Sequence, residues 1–357
     1  MNILFIVNWK IHYLAIDSEH IQPADKAIVD KPYWFFKYWP GRHKVDVLDF
    51  SRLPVIHRLE KDNLKFFIIQ ALRAYPRLKH YDLIISHGAQ SGVVLALIRQ
   101  LLGKKHPPHI LIDVGCFNGG RDNSHELRLV KYASQSISGI IYHAPIQREY
   151  YQEHLPNLID SCFFVPFGYD ADFFYPLENA VSKNYIAAIG YQKRDYQTLI
   201  KAWKSIKSET RLKIIGIKSL RHAGIDDKLP QNVDLLPYVP ISELKKLIGG
   251  AKFVVLPLPY FKYAYGQKTL LEAMAMGKAV IVTKTPSTED YVIDQKTGMF
   301  VKHNDVNDMQ SKLRALLNNQ ILADRMGKEA FDIASTQLTA EIMSKRIFEI
   351  VKILTYQ

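Results

Sequence analysis

Short apolar runs bounded by polar turns recur along the first half of the chain: "NILFIV" (2–7), "KVDVLDF" (44–50), "YDLIIS" (81–86), "HILIDV" (109–114), "GIIYH" (139–143) and "CFFVPF" (162–167). Helical periodicity fills two of the gaps, in "NLKFFIIQALRAY" (63–75), stopped by Pro76, and "SGVVLALIRQLLG" (91–103), which closes on a glycine. Near-continuous apolar strands alternating with helices predict a parallel sheet covered on both faces. The alternation then restarts. Strands are predicted at "NYIAAIG" (184–190), "LKIIGI" (212–217), "VDLLPYV" (233–239), "KFVVLPL" (252–258) and "KAVIVTK" (278–284). Helices are predicted at "DYQTLIKAWKSI" (195–206), "ISELKKLIGGA" (241–251) and within 311–334. The pattern reads as two successive doubly wound α/β domains joined in the proline-containing "FGYDADFFYPLENAVSK" (167–183).

A length of 357 residues agrees with two domains, and 48% apolar with 23% charged residues marks a globular chain. The two cysteines, Cys116 and Cys162, form neither a disulfide framework nor a zinc spacing, so a reducing compartment is expected. "MNILFIVNWK" has no basic region before its apolar run and reads as a buried first strand, not a leader. No stretch reaches the ~18 apolar residues of a spanning helix, which predicts a soluble protein or one bound at a membrane surface. The formal charge of +12 suits nucleic acid, anionic lipid, a phosphate-bearing small molecule or an unspecialised basic surface. Charge alone does not choose among them.

Chemistry concentrates in "YGQKTLLEAMAMGKAVIV" (265–282). The strand before it ends at Leu258, the loop "PYFKYAYGQK" follows, and a helix is expected from Thr269, with Glu272 in its first turn. Ligands of open α/β sheets bind at the carboxyl ends of the strands, and two such domains are expected to face a cleft there. A helix N-terminus attracts anions, Gly266 permits close backbone approach, and Lys268 adds positive charge. Glu272 would repel phosphate; a carboxylate one turn inward suits a vicinal diol such as a ribose. Phosphate beside ribose means a nucleotide. The plainer alternatives are a helix-dipole interaction of ~0.3–1 kcal/mol for Glu272 and a solvated face for Lys268.

The run "GQKTLLEAMAMGKAVIVTKTPSTEDYVIDQKTGMFVKHNDVNDM" (266–309) resembles, without gaps, the donor-site signature of glycosyltransferase family 4, retaining enzymes of GT-B architecture. The likeness includes the "LLEAMAMGK" core, a "TG-F-V" hairpin and the "ND" turn after it. It extends to "FFVPFGYDADFFYP" (163–176), "AAIGYQKRDYQTLIKAW" (187–203) and, more weakly, "YDLIISHGAQSGVVLALIRQLLG" (81–103). By this resemblance Glu272 matches the second glutamate of the family's Glu-x7-Glu motif, which grips the ribose. Gly266, Gln267, Lys268, Thr269 and Leu270 fall in the segment whose backbone meets the donor. Arg194 takes the place of a lysine that neutralises the diphosphate, with Lys193 sharing that work. Tyr238 and Val239 lie where the family packs the nucleobase, or else simply end a core strand. "DAD" (170–172) imitates an Asp-x-Asp metal motif but falls in the domain junction.

The chain departs from the family pattern at several places. Ala264 stands where the first glutamate belongs, Tyr191 replaces an arginine, and "NWKIHYLAID" (8–17) replaces a glycine-rich loop. The family's N-domain histidine aligns with Gly115; a small shift offers Asp113 or Cys116, and His87 is the nearest histidine in a strand-end loop. Arg121 and His125 in "CFNGGRDNSHE" (116–126) are further contacts for acceptor or phosphate. The aromatic and basic cluster "PYWFFKYWPGRHK" (32–44) reads as a packed helix, an acceptor surface or a membrane-touching one.

The resemblance thus implies two Rossmann-like doubly wound parallel-sheet domains: 1–168 on the acceptor side, 169–338 for the nucleotide-sugar donor, and a helix at 339–357 crossing back to the first domain. It implies retaining, metal-independent transfer of a sugar from a nucleotide diphosphate donor, such as a UDP- or GDP-sugar, to a carbohydrate or lipid-linked acceptor, with no further cofactor. His87 and Asp113 are the catalytic candidates. The expected place is cytoplasmic, with peripheral contact at the anionic inner face of the membrane left open. Two other readings are a catalytically decayed nucleotide-sugar binder, prompted by Ala264 and Gly115, and a nucleic-acid binder, for which no motif speaks.

Overall fold

A computed structural model describes residues 1–50, 59–60, 66–103, 106–115, 125–178, 183–191, 193–217, 219, 225 and 228–355. Cys116 and Arg121, and the start of the helix expected from 63, lie outside the described residues. The chain divides into two compact units: Met1–Asp17 with Pro23–Pro166 and Met343–Gln357, and Ser18–Gln22 with Phe167–Ile342.

The first unit is built on strands β1 (Asn2–Val7), β2 (His12–Leu14), β3 (Lys26–Ile28), β4 (Lys44–Leu48), β5 (Leu83–His87), β6 (His109–Asp113), β7 (Gly139–Tyr142) and β8 (Cys162–Phe164). Its helices are α1 (Ile68–Ala74), α2 (Ala89–Leu101), α3 (His125–Ser134) and α4 (Gln147–His154). Six strands form one sheet in the order β4-β1-β5-β6-β7-β8, with every pair parallel. β5 and β6 are buried at all positions, as strands covered on both faces must be. The order reverses between β1 and β5, where Val7 and His87 pair at the carboxyl edge.

The second unit contains β9 (Tyr185–Ile189), α5 (Tyr196–Lys204), β10 (Arg211–Ile215), β11 (Val233–Leu236), α6 (Ile241–Gly249), β12 (Val254–Leu256), α7 (Gln267–Ala275), β13 (Val280–Thr283), β14 (Gly298–Val301), α8 (Val306–Leu317) and α9 (Gln320–Gln337). Its sheet runs β11-β10-β9-β12-β13-β14, again all parallel. The side-chain period of two sorts β9 between two cores. Ala187 and Ile189 pack with Leu270, Leu271 and Met274 of α7, while Ile186 and Ala188 pack with Leu199 and Trp203 of α5. Caps begin the helices: Asp195 accepts from Thr198 N–H at 3.0 Å, Asp305 from Asp308 N–H at 2.9 Å, and Asn319 from Leu322 N–H at 2.9 Å. The last cap also divides the predicted 311–334 helix into α8 and α9. "TG-F-V" is not a hairpin: β14 adds parallel to β13 at the sheet edge.

A final helix, α10 (Ala340–Thr355), returns most of its length to the first unit. Ser344 Oγ donates to Phe35 O at 2.6 Å, and the Phe348 ring centroid lies 5.1 Å from Trp39 and 5.9 Å from His43. The aromatic segment 32–44 is accordingly core and not a hydrophobic surface. Its short 3-10 helix, Trp34–Tyr38, buries Phe35 and Phe36 against Phe5, while Trp39 is only 4% exposed.

Candidate active site

In the second unit the sheet order reverses between β9 and β12, and a cavity of about 350 Å³ lies at the carboxyl ends of β9 and β10. Its walls come from Gly190 and Arg194 after β9, Tyr238 and Val239 after β11, and Lys268, Thr269 and Glu272 of α7. Gly266 caps α7 with φ +87°, and a Cβ there would meet Leu258 Cδ1 at 3.0 Å. The helix therefore starts at Gln267, not Thr269, which moves Glu272 out of the first turn. This correction removes the helix-dipole explanation for the carboxylate, since that effect fades within one turn.

Glu272 is 4% exposed, and its Oε1 is buried without a hydrogen-bond partner. Burial pushes its pKa up to about 7, against the opposing pull of Lys268 and Arg194. The Lys268 ammonium stands 4.0 Å away, one helical turn back. A buried, unsatisfied carboxylate is costly, and a pair of hydroxyl donors entering the cavity would satisfy it. Arg194 is held over the mouth: its Nε donates to Ile189 O at 2.9 Å, Nη2 reaches Thr269 Oγ1 at 3.4 Å, and its guanidinium lies 5.5 Å from the Tyr265 ring. Gly190 makes that pose possible, because a Cβ there would sit 2.5 Å from Arg194 Nε. A carboxylate, two cations and a helix N-terminus around one cavity match a ribose joined to a diphosphate.

Residues 181–332 match the family model described as glycosyl transferases group 1. The chain is also 27% identical over 255 residues to an uncharacterized glycosyltransferase of Methanocaldococcus jannaschii, covering 69% of this chain and 68% of that protein. The second unit resembles a group 1 glycosyltransferase. The fold of the chain is GT-B. Sucrose-phosphate synthase from Thermosynechococcus elongatus superposes with a TM-score of 0.72 at 17% identity over 99% of both chains. Anabaena HepE in complex with UDP and glucose gives 0.69 at 13% identity, also over 99% of both.

The donor-site residues expected from the sequence are placed in different ways. Glu272, Arg194, Lys268, Thr269, Tyr238 and Val239 line the cavity. Gln267, Leu270 and Lys193 are placed otherwise. Gln267 is buried and donates from Nε2 to Ser287 O at 3.0 Å, and Leu270 is wholly buried in the core while its N–H closes the first turn on Gly266 O at 3.0 Å. Lys193, at φ +48°, donates to Tyr263 OH at 2.9 Å and lies 5.2, 5.2 and 5.1 Å from the rings of Phe261, Tyr263 and Tyr265. The alternation of aromatics at 261, 263 and 265 was visible in the sequence, but their shared partner is 70 residues away in the chain. Ala264 sits among them, 8% exposed.

In the first unit His87 ends β5 inside an aromatic box. Its ring centroid is 5.0 Å from Trp9, 6.0 Å from Phe5, 6.2 Å from a stacked Trp34 and 6.5 Å from His143. Burial, with a smaller push from His143, lowers its pKa to about 3, so the ring is neutral at ordinary pH. Its Nδ1 is buried without a partner. Asp113 is wholly buried, accepting from Tyr151 OH at 2.7 Å, Gln147 Nε2 at 3.1 Å and Gly115 N–H at 2.9 Å. Those bonds tie three segments together at the end of β6. Gly115 has φ +101°, a conformation a histidine would adopt only under strain. His125 is exposed at the start of α3. His143, just past β7, was not singled out as a site residue; it follows an apolar strand like any turn histidine, and its nearness to His87 is tertiary. In "DAD", Asp170 accepts from Asp172 N–H at 3.1 Å in a turn. Among the described residues no cluster of three His, Cys, Asp or Glu side chains is placed to hold a metal.

Proposed function

We propose that this chain transfers a sugar from a UDP-sugar to a carbohydrate or lipid-linked acceptor with retention of anomeric configuration. The observation that carries the donor half is Glu272, a buried carboxylate whose Oε1 has no hydrogen-bond partner, lining a cavity with Lys268 and Arg194. Glu272 takes the ribose hydroxyls. Lys268, Arg194 and the N–H groups opening α7 take the diphosphate and stabilise it as the glycosyl bond breaks. These charges do the work a divalent metal performs in other transferases, so the reaction proceeds without one. The choice of UDP over GDP is supported by the solved HepE structure, which holds UDP and glucose.

Retention follows from front-face attack by the acceptor hydroxyl, assisted by the departing diphosphate. His87, neutral and buried, serves as a hydrogen-bond partner for the acceptor and not as a cation.

Calorimetric titration of UDP into the wild-type chain and Glu272→Ala tests the donor reading. Binding to wild type and its loss in the variant are expected; equal affinity in both would refute the assignment. NMR of the first-formed product decides the anomeric outcome, and an inverted linkage would end the retaining reading.

A further inference from the structure

A larger cavity, about 690 Å³, lies in the first unit along the outer side of edge strand β4. Nothing in the donor chemistry uses it. Four cationic side chains line it, Lys31, Lys37, Lys44 and Arg77, against the carboxylates of Asp30 and Asp46. Lys31 follows β3, Lys44 opens β4, and Arg77 lies in the 3-10 turn after α1. With Lys37 in the 3-10 helix Trp34–Tyr38, positive charge from four separate segments lines the groove. Aromatic side chains share its wall: Tyr13, 52% exposed, Tyr81, half-buried, and the buried Tyr33. Tyr81 OH is tied to Asp46 Oδ2 at 2.8 Å, and Tyr13 OH to Val47 O at 3.0 Å, so both rings are fixed in place. Trp39 is also in the wall, 4% exposed, with a buried indole N–H that has no acceptor. An unpaired buried donor is uncommon and costly.

We infer that this groove binds an acidic oligosaccharide, one bearing carboxylate or phosphate groups on successive sugars. Fixed aromatic faces suit the apolar sides of pyranose rings, carboxylates such as Asp46 accept sugar hydroxyls, and spaced cations suit a regularly charged chain. A single phosphate would need convergent donors. A bilayer would need exposed apolar side chains, yet Phe35, Phe36 and Trp39 of this segment are buried. The inference does not depend on the donor reading, because every residue used lies in the other unit.

The test titrates the full chain with hyaluronan and oligogalacturonate tetrasaccharides, with neutral maltotetraose, with inorganic phosphate and with phosphatidylglycerol vesicles, following heat and tryptophan fluorescence. The acidic tetrasaccharides should bind, more weakly as salt rises, and maltotetraose at least about tenfold less well, the difference that two or three exposed ion pairs supply. Lys44→Gln combined with Arg77→Gln should lose about tenfold in acidic-tetrasaccharide affinity while its melting temperature and ligand-free tryptophan fluorescence match wild type, which shows the variant folded. Neither acidic tetrasaccharide binding, equal binding by the double variant, or vesicle or phosphate binding in place of the tetrasaccharides would each overturn the inference.

Discussion

Burial makes the ionised form of Glu272 costly in the folded chain. Its folded-state pKa of about 7 exceeds the ordinary 4.5, so ionising it in the folded chain opposes folding. That loss is absent below pH 4.5, grows between 4.5 and 7, and reaches about 3 kcal/mol above 7. Glu272→Gln should therefore raise the melting temperature of the ligand-free protein above pH 7 and leave it unchanged below 4.5, read by calorimetry across that range. UDP affinity should fall as pH drops through about 7, because the diol is held by the ionised form. A flat affinity profile would place the carboxylate outside the ribose contact. Glu272 was legible in sequence because it stands in a dense local motif. Lys193 was not, since the aromatic trio that holds it becomes its neighbour only when β9 and β12 pair.

The turn from β9 into α5 shows how an element sets its site. Gly190 at φ +127° leaves room for Arg194 to fold back and donate to Ile189 O at 2.9 Å. Gly190→Ala should displace that guanidinium and weaken UDP binding by about tenfold or more, with a smaller loss for UMP, which lacks the second phosphate. Similar losses for both ligands would indicate a general collapse of the turn. Most elements of the second unit were readable, because parallel strands buried on both faces are apolar almost throughout and their helices carry caps such as Asp195. β2, β3, α3 and α4 were not. The two strands have three residues each, and α4, "QREYYQEH", buries only Gln147, Tyr151 and His154. Too few apolar positions exist there to set a period.

Across the molecule, α10 makes the first unit discontinuous in sequence. Ile347 is 1% exposed within it, and Ile347→Ala should destabilise that unit by about 2–5 kcal/mol, the usual range for a buried aliphatic truncation. Hydrogen exchange should show faster opening in β1 and β4 and little change in β9–β14; an effect confined to the second unit would contradict the division. The alternation of apolar runs with amphipathic segments was enough to determine two parallel α/β units, because burial on both sheet faces leaves a composition no other architecture needs. The local motifs likewise singled out Glu272, Lys268 and Arg194, which line one cavity at the end of the second sheet. Tertiary structure alone decided which side chains share a cavity: it turned Gln267 and Leu270 inward, enclosed His87 among rings, and placed Lys31, Lys44 and Arg77 along one groove. Contacts between residues tens of positions apart depend on strand order and helix rotation, and local periodicity carries neither.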